Sequence, residues 1–240
     1  MDGGSEIGNV DRRERWAPVS GLVFVVAFVA LYFLFFVPAE VATQDANATQ
    51  IADYYRERGA AGLLLTYSLF GLTGAALLWF AGSLQASLRR MEPTPRRLSV
   101  MAFGGGVASA ILLLAGGATI LAPFVVVAIE SEETFDPTLH GVLSAMGFTA
   151  INFALLASAV MVIATSLATM RWAAFPGWFA WVGFIVAPAL ALNILYFFGL
   201  FVWIGWVLLA SVLLLTRGAQ VGRLTSPGED NPPMGELPRP

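Results

Sequence analysis

The chain has 240 residues, of which 58% are hydrophobic and 12% charged, and its formal net charge is −3. An ordinary soluble domain carries about a quarter charged residues, so the composition argues against that class, and nothing in the charge balance favours a nucleic-acid partner. Cysteine is absent and there is one histidine, which excludes disulfides, thiolate metal sites and cysteine nucleophiles and argues against any metal centre.

Long apolar runs separate the charged residues, and runs of 18 or more apolar residues are typical of membrane-spanning helices. The sequence predicts an all-α polytopic membrane protein with six transmembrane helices. Their expected bounds are about 19–37, 62–88, 100–129, 138–169, 176–194 and 199–216. The last two are separated because one helix over 176–216 would be roughly 60 Å long, about twice the hydrocarbon thickness. We expect 1–17 to be a cytoplasmic segment, 18–216 the bundle and 217–240 a disordered cytoplasmic tail.

The arginines predict the orientation, because cytoplasmic loops collect positive charge. With the N-terminus inside, eleven of the thirteen arginines are cytoplasmic, and Arg56 and Arg58 lie outside. Both termini are therefore predicted to be cytoplasmic, in a bacterial plasma membrane, since arginine without lysine is typical of a high-GC bacterial genome. The topology-determining group lies in SLRRMEPTPRRLS and consists of Arg89, Arg90, Arg96 and Arg97. A lipid-headgroup or partner site at this loop is a second interpretation.

The segment NATQIADYYRERG (47–59) predicts a short helix between the first two spans, capped by Asn47 and ended by Gly59. One interpretation is an interfacial helix with Tyr54 and Tyr55 at the level of the lipid headgroups. The other is a lid over a ligand.

Candidate substrate-binding residues are few, because no ionisable residue falls in mid-span. Asn152, near the middle of the fourth span, predicts either an interhelical hydrogen bond or a substrate contact. Asn193 follows a predicted kink at Pro188, which is either a packed kink or the wall of a polar pocket. His140 lies one turn after Asp136 and close to the acidic segment 130–136, as a solvated loop residue, a cation ligand or a pH sensor.

Small residues spaced three and four apart let helices approach closely. They occur in the third span as Gly105 with Ser109 and Gly106 with Ala110. Similar faces are formed by Gly71 with Gly74 and by Ala154 with Ser158. The second, third and fourth helices are therefore predicted to form the tight centre of the bundle.

The order of these features resembles the small six-helix integral membrane proteins common in actinobacteria, a class defined by a domain of unknown function. The resemblance covers about residues 18–216. It depends on the segment TQIADYYRERG, on a second span that ends in SLQASLRR, and on the glycine-rich third span. It implies a multi-pass membrane protein and supplies no catalytic residue.

No nucleophile elbow, P-loop, Rossmann fingerprint or H-E-x-x-H motif occurs, and no cofactor is expected. The sequence therefore favours a non-enzymatic accessory or interaction protein, or a small-solute or lipid binder. Its expected partners are the lipid bilayer and either another membrane protein or a second copy of the chain. The alternative is a transporter or permease subunit for a neutral or lipid-like solute, with its pathway near Asn152 and Asn193. An intramembrane enzyme is a third possibility.

Overall fold

The structure of the protein is a computed structural model, and it describes residues 18–38, 48–129, 137–192 and 196–225. Within these residues there are six helices and no β-strand, so the all-α prediction is confirmed for this part of the chain. Helix α1 is Val19–Leu31, continued by a π-helical turn at Tyr32–Phe36. The others are α2 (Ala48–Met91), α3 (Arg97–Ile129), α4 (Pro137–Trp172), α5 (Gly177–Leu192) and α6 (Tyr196–Thr225).

Five of the described helices are long and apolar enough to cross a membrane. The parts of these helices that contain an apolar segment of 18 residues are Val19–Phe36, Thr49–Met91, Arg97–Val125, Thr138–Trp172 and Phe198–Thr216. Helix α5 is apolar but has 16 residues, slightly fewer than the roughly 17–25 of a typical span. A multi-helix membrane protein is therefore supported, and the assignment of α5 as a sixth span stays a prediction.

Apolar side chains also cover the outside of the bundle. Val26 and Leu64 are each 69% exposed, and Ile185 is 74% exposed. Large exposed apolar side chains occur on all six described helices. A soluble monomer rarely exposes a contiguous apolar surface of this extent, whereas lipid tails would cover it without cost.

Each helix packs against the next one in the chain, and α6 packs back against α1. Phe24 and Phe28 of α1 contact Trp203 of α6, with ring centroids 5.1 and 6.1 Å apart. Successive helices run antiparallel, because residues late in one helix lie beside residues early in the next, as Ala81 of α2 lies beside Gly106 of α3. The α2–α3 and α4–α5 connections therefore share one end of the bundle, which we name the arginine end.

The most extensive contact between two helices is that of α3 with α4, as the small residues predict. A Cβ atom at Gly105 would lie 2.7 Å from the backbone nitrogen of Met161 and 2.8 Å from the carbonyl oxygen of Ala157. Ser109 Oγ donates to the carbonyl of Ala154 at 2.9 Å and lies 2.6 Å from Ser158 Oγ. The backbones of the two helices approach this closely because α3 presents a glycine, without a side chain, where it meets the backbone of Ala157 and Met161.

Helix α2 joins this centre only in part. Gly74 packs against Leu114 of α3, but Gly71 is exposed and faces open space, so the prediction for Gly71 is wrong. The contact between α2 and α4 is small. The reason is that α3 lies between them and takes the main contacts of both.

Two helices extend well beyond their predicted bounds. The segment predicted as a separate short helix and the second span form one helix, α2, which is interrupted at Gly59 (φ 57°). Helix α6 continues to Thr225, into the residues assigned to a disordered tail. Two prolines lie inside helices: Pro188 in α5 and Pro123 in α3. The predicted cap Asn47 and the acidic residue Asp136 lie outside the described residues.

Candidate functional site

The first candidate site is the connection between α2 and α3 at the arginine end. Helix α2 ends at Met91 and α3 begins at Arg97, and Pro93 and Pro95 lie between them. We name residues 89–97 the arginine turn. It brings together the four predicted topology-determining residues, all of them exposed: Arg89, Arg90, Arg96 and Arg97.

A buried carboxylate fixes the shape of this turn. Glu92 is 3% exposed, and its two carboxylate oxygens accept hydrogen bonds from the backbone N–H groups of Leu98 and Ser99, each at 2.8 Å. These donors belong to the first turn of α3, where N–H groups have no partner inside the helix. Glu92 therefore caps α3 from a position just beyond the end of α2.

Glu92 keeps its negative charge in this position. Burial raises the pKa of its carboxyl, but the hydrogen bonds from Ser99 and Leu98 outweigh that effect and hold the pKa below its usual value. Sequence reasoning missed this residue because a helix cap is sought at the N-cap or three residues after it, and Glu92 lies several residues before α3. An acid isolated among four arginines was the available signal.

The arginine end carries unneutralised positive charge within the described residues. Arg89, Arg96 and Arg97 form no ion pair with them, and Arg171, at the end of α4, is also exposed. At the opposite end, Arg56 pairs with Asp53 at 3.0 Å. Charge is therefore divided unequally between the two ends of the bundle.

Two exposed tryptophans lie at the arginine end as well. Trp178 and Trp181, at the start of α5, are 51% and 64% exposed. Their position agrees with the aromatic belts that membrane proteins place at headgroup level.

The second candidate site is the N-terminal arm of α2, residues 48–58, which lies at the opposite end. Tyr55 is 3% exposed, and its ring centroid lies 5.1 Å from that of Phe124 and 5.8 Å from that of His140. The ring of Tyr55 is therefore covered by α3 and α4, and the interpretation that it lies at headgroup level stays a prediction. The arm closes over the ends of these helices.

The guanidinium of Arg58 also anchors this arm to α1. Arg58 Nη1 donates to the carbonyl of Leu34 at 3.1 Å, within the π-helical turn, and the guanidinium lies 4.7 Å from the ring centroid of Tyr54. The residue four further along the chain is Pro38, which has no N–H to donate to this carbonyl, so the carbonyl can accept from a side chain. The arm is therefore held at both Tyr55 and Arg58.

His140 lies in the first turns of α4, half-buried beside Tyr55. It is not the solvated loop residue that was one of the expectations, because the α2 arm covers it. The acidic residues that would complete a cation site lie in 130–136, outside the described residues. Within the described part of the chain, no group of three acidic or histidine residues could hold a metal ion.

Of the other two predicted site residues, the structure describes only Asn152. Asn152 is half-buried on α4 and engaged in an interaction, and Asn193 lies outside the described residues. The indole N–H groups of Trp203 and Trp206, near the centre of the bundle, are buried without an acceptor among the described residues.

The fold and both candidate sites have the features of a multi-pass membrane protein: apolar helices of spanning length, with charge confined to helix ends. In three comparisons, no protein-family model, no curated protein and no solved structure matches the chain. Its function must therefore be inferred from its own residues.

Proposed function

We propose that the protein is a six-span bacterial plasma-membrane protein, with both termini cytoplasmic, that acts as a non-enzymatic accessory or binding protein. We propose that it binds its partners or lipids at the two ends of the bundle. The arginine turn faces the cytoplasm and the α2 arm faces the outside.

The observation that carries this proposal is the state of the buried polar side chains. All ten buried serine, threonine and glutamate residues in the described part of the chain take part in a hydrogen bond, whereas the buried indole N–H groups of Trp203 and Trp206 do not. Six hydroxyls donate to the carbonyl four residues earlier in their own helix: Thr66, Thr73, Thr165, Ser166, Thr169 and Ser211. A hydroxyl that donates to its own helix backbone has its hydrogen-bonding need met without a ligand. This supports a bundle whose interior is structural.

The proposed orientation can be tested by chemical labelling, because the chain contains no cysteine. A cysteine placed at Thr94, in the arginine turn, should react with a membrane-impermeant thiol reagent only after the membrane is opened. A cysteine at Ser131 should react in intact cells. The reverse pattern would disprove the orientation.

The proposed function can be tested by native mass spectrometry of the protein released from its own membrane. We expect a bound partner or lipid that survives an Asn152→Leu substitution and is lost when the arginine turn or the α2 arm is altered. A small-molecule adduct that disappears in Asn152→Leu would contradict the accessory role.

Transport of a neutral or lipid-like solute is the second candidate, and a specific observation favours it. The buried N–H groups of Trp203 and Trp206 would be satisfied by a solute that carries hydrogen-bond acceptors. Replacing each tryptophan with Phe removes the N–H and keeps an aromatic ring. If solute uptake by cells falls in these variants while the folded protein persists, transport is the better explanation.

A further inference from the structure

We propose that the arginine turn is a binding site for the phosphate groups of anionic phospholipids. This inference rests on the proposed membrane location and names the ligand of the cytoplasmic surface. It goes beyond an effect on orientation, because it requires a defined arrangement of guanidinium groups and a preference among lipids.

The four guanidiniums of the arginine turn are carried on a fixed scaffold. Glu92 ties the end of α2 to the start of α3 by two 2.8 Å hydrogen bonds, and its own backbone N–H donates to the carbonyl of Leu88 at 3.0 Å. The arginines therefore extend from two helix ends whose relative position is set. A fixed scaffold reduces the ordering cost of binding a ligand.

Three of the four arginines in the turn have no anionic partner among the described residues. Glu92 is the one acidic residue in 89–97, and its carboxylate accepts from the backbone of α3. Arg89, Arg96 and Arg97 form no ion pair with the described residues. A guanidinium that lacks an internal anion can bind phosphate oxygens through two parallel hydrogen bonds.

The depth at which the arginine turn would lie in a membrane also favours a lipid phosphate. Apolar Leu88 precedes the arginines of α2 and apolar Leu98 follows those of α3, so the turn lies where the hydrocarbon of a membrane would end. Lipid phosphates occupy that level, and the cytoplasmic leaflet is rich in anionic lipid. Trp178, exposed at the same end, agrees with this level. A lipid phosphate therefore fits this position better than phosphate free in solution.

The test compares lipid binding by the full chain and by an Arg96→Gln, Arg97→Gln variant. This variant keeps Arg89 and Arg90 for orientation, and it leaves the backbone groups that Glu92 binds unchanged. Protein in mild detergent is titrated with phosphatidylglycerol or with phosphatidylcholine, and bound lipids are counted by native mass spectrometry. An Arg171→Gln variant, which removes one exposed arginine of the same end outside the turn, is the matched control.

We expect the unmodified chain to bind phosphatidylglycerol more tightly than phosphatidylcholine, and the double variant to lose on the order of tenfold in that affinity. Arg171→Gln should retain most of it. Equal affinity for the two lipids, or no loss in the double variant, would overturn the inference. Competition by millimolar inorganic phosphate as effective as by the lipid would assign the site to free phosphate and also overturn it.

The labelling experiment separates this inference from the proposed function. If the cysteine at Thr94 is cytoplasmic and no lipid preference is found, the lipid site alone is wrong. If that cysteine is labelled from outside, the proposed orientation is wrong as well.

Discussion

The carboxylate of Glu92 accepts a 2.8 Å hydrogen bond from the backbone N–H of Ser99, seven residues further along the chain. This contact joins the end of one apolar helix to the start of the next, within the turn that carries the most positive charge. It makes an acidic residue the structural centre of a basic surface.

Glu92→Ala should therefore destabilise the protein. The substitution leaves the N–H groups of Leu98 and Ser99 without their acceptor at the start of α3, which we expect to cost about 1–3 kcal/mol. The melting temperature in detergent measures the effect, and Arg96→Gln in the same turn is the control. An unchanged melting temperature in Glu92→Ala would mean that water or the backbone replaces the carboxylate.

The stabilisation from Glu92 should also depend on pH. Its pKa is lower in the folded protein than its usual value of 4.5, so folding favours the charged form. The contribution is fully present above about pH 4.5 and is lost as the pH falls through the folded pKa. The informative quantity is the difference in melting temperature between the unmodified chain and Glu92→Gln, because it isolates the contribution of this one carboxyl. That difference should shrink as the pH falls from 7 to 3, and a constant difference would contradict the assignment.

Neighbouring glycines of α3 provide a matched pair of substitutions. Gly105→Ala should destabilise by about 1–3 kcal/mol, since its Cβ would press on the backbone of α4 at Met161 and Ala157. Gly104 is exposed, and a Cβ atom there would meet no other side chain or helix within 4 Å, so Gly104→Ala should be neutral or stabilise by up to about 1 kcal/mol. Unfolding in mixed detergent micelles compares the two variants. Equal effects would contradict the close α3–α4 contact.

The helices and the α3–α4 contact could be predicted from the sequence because both follow from local patterns. Apolar runs of spanning length specify helices, and small residues four apart, as at Gly105 and Ser109, specify where helices can approach. The same pattern at Gly71 leads to no contact, since periodicity places residues on one face but does not say which face meets another helix.

The details of the candidate sites depend on contacts between distant residues, which a local pattern does not encode. A tyrosine near a membrane surface has the same local sequence whether its ring meets headgroups or is covered by the chain, and Tyr55 is covered by Phe124 and His140. Glu92 likewise looks like an ordinary loop acid until the start of α3 is placed beside it.

The burial of Tyr55 predicts how the α2 arm is held. Tyr55→Ala removes the ring that fills the space between Phe124 and His140, a change that costs about 3–5 kcal/mol for a buried aromatic residue. The arm should then open more often, which hydrogen exchange of the amides in 49–58 would report as faster exchange. Tyr67→Ala is the control, because Tyr67 lies on the same helix and is 59% exposed. Tyr55→Phe keeps the ring and should keep the slow exchange. Equal exchange in Tyr55→Ala and Tyr67→Ala would show that Arg58, through the carbonyl of Leu34, holds the arm without help from the tyrosine.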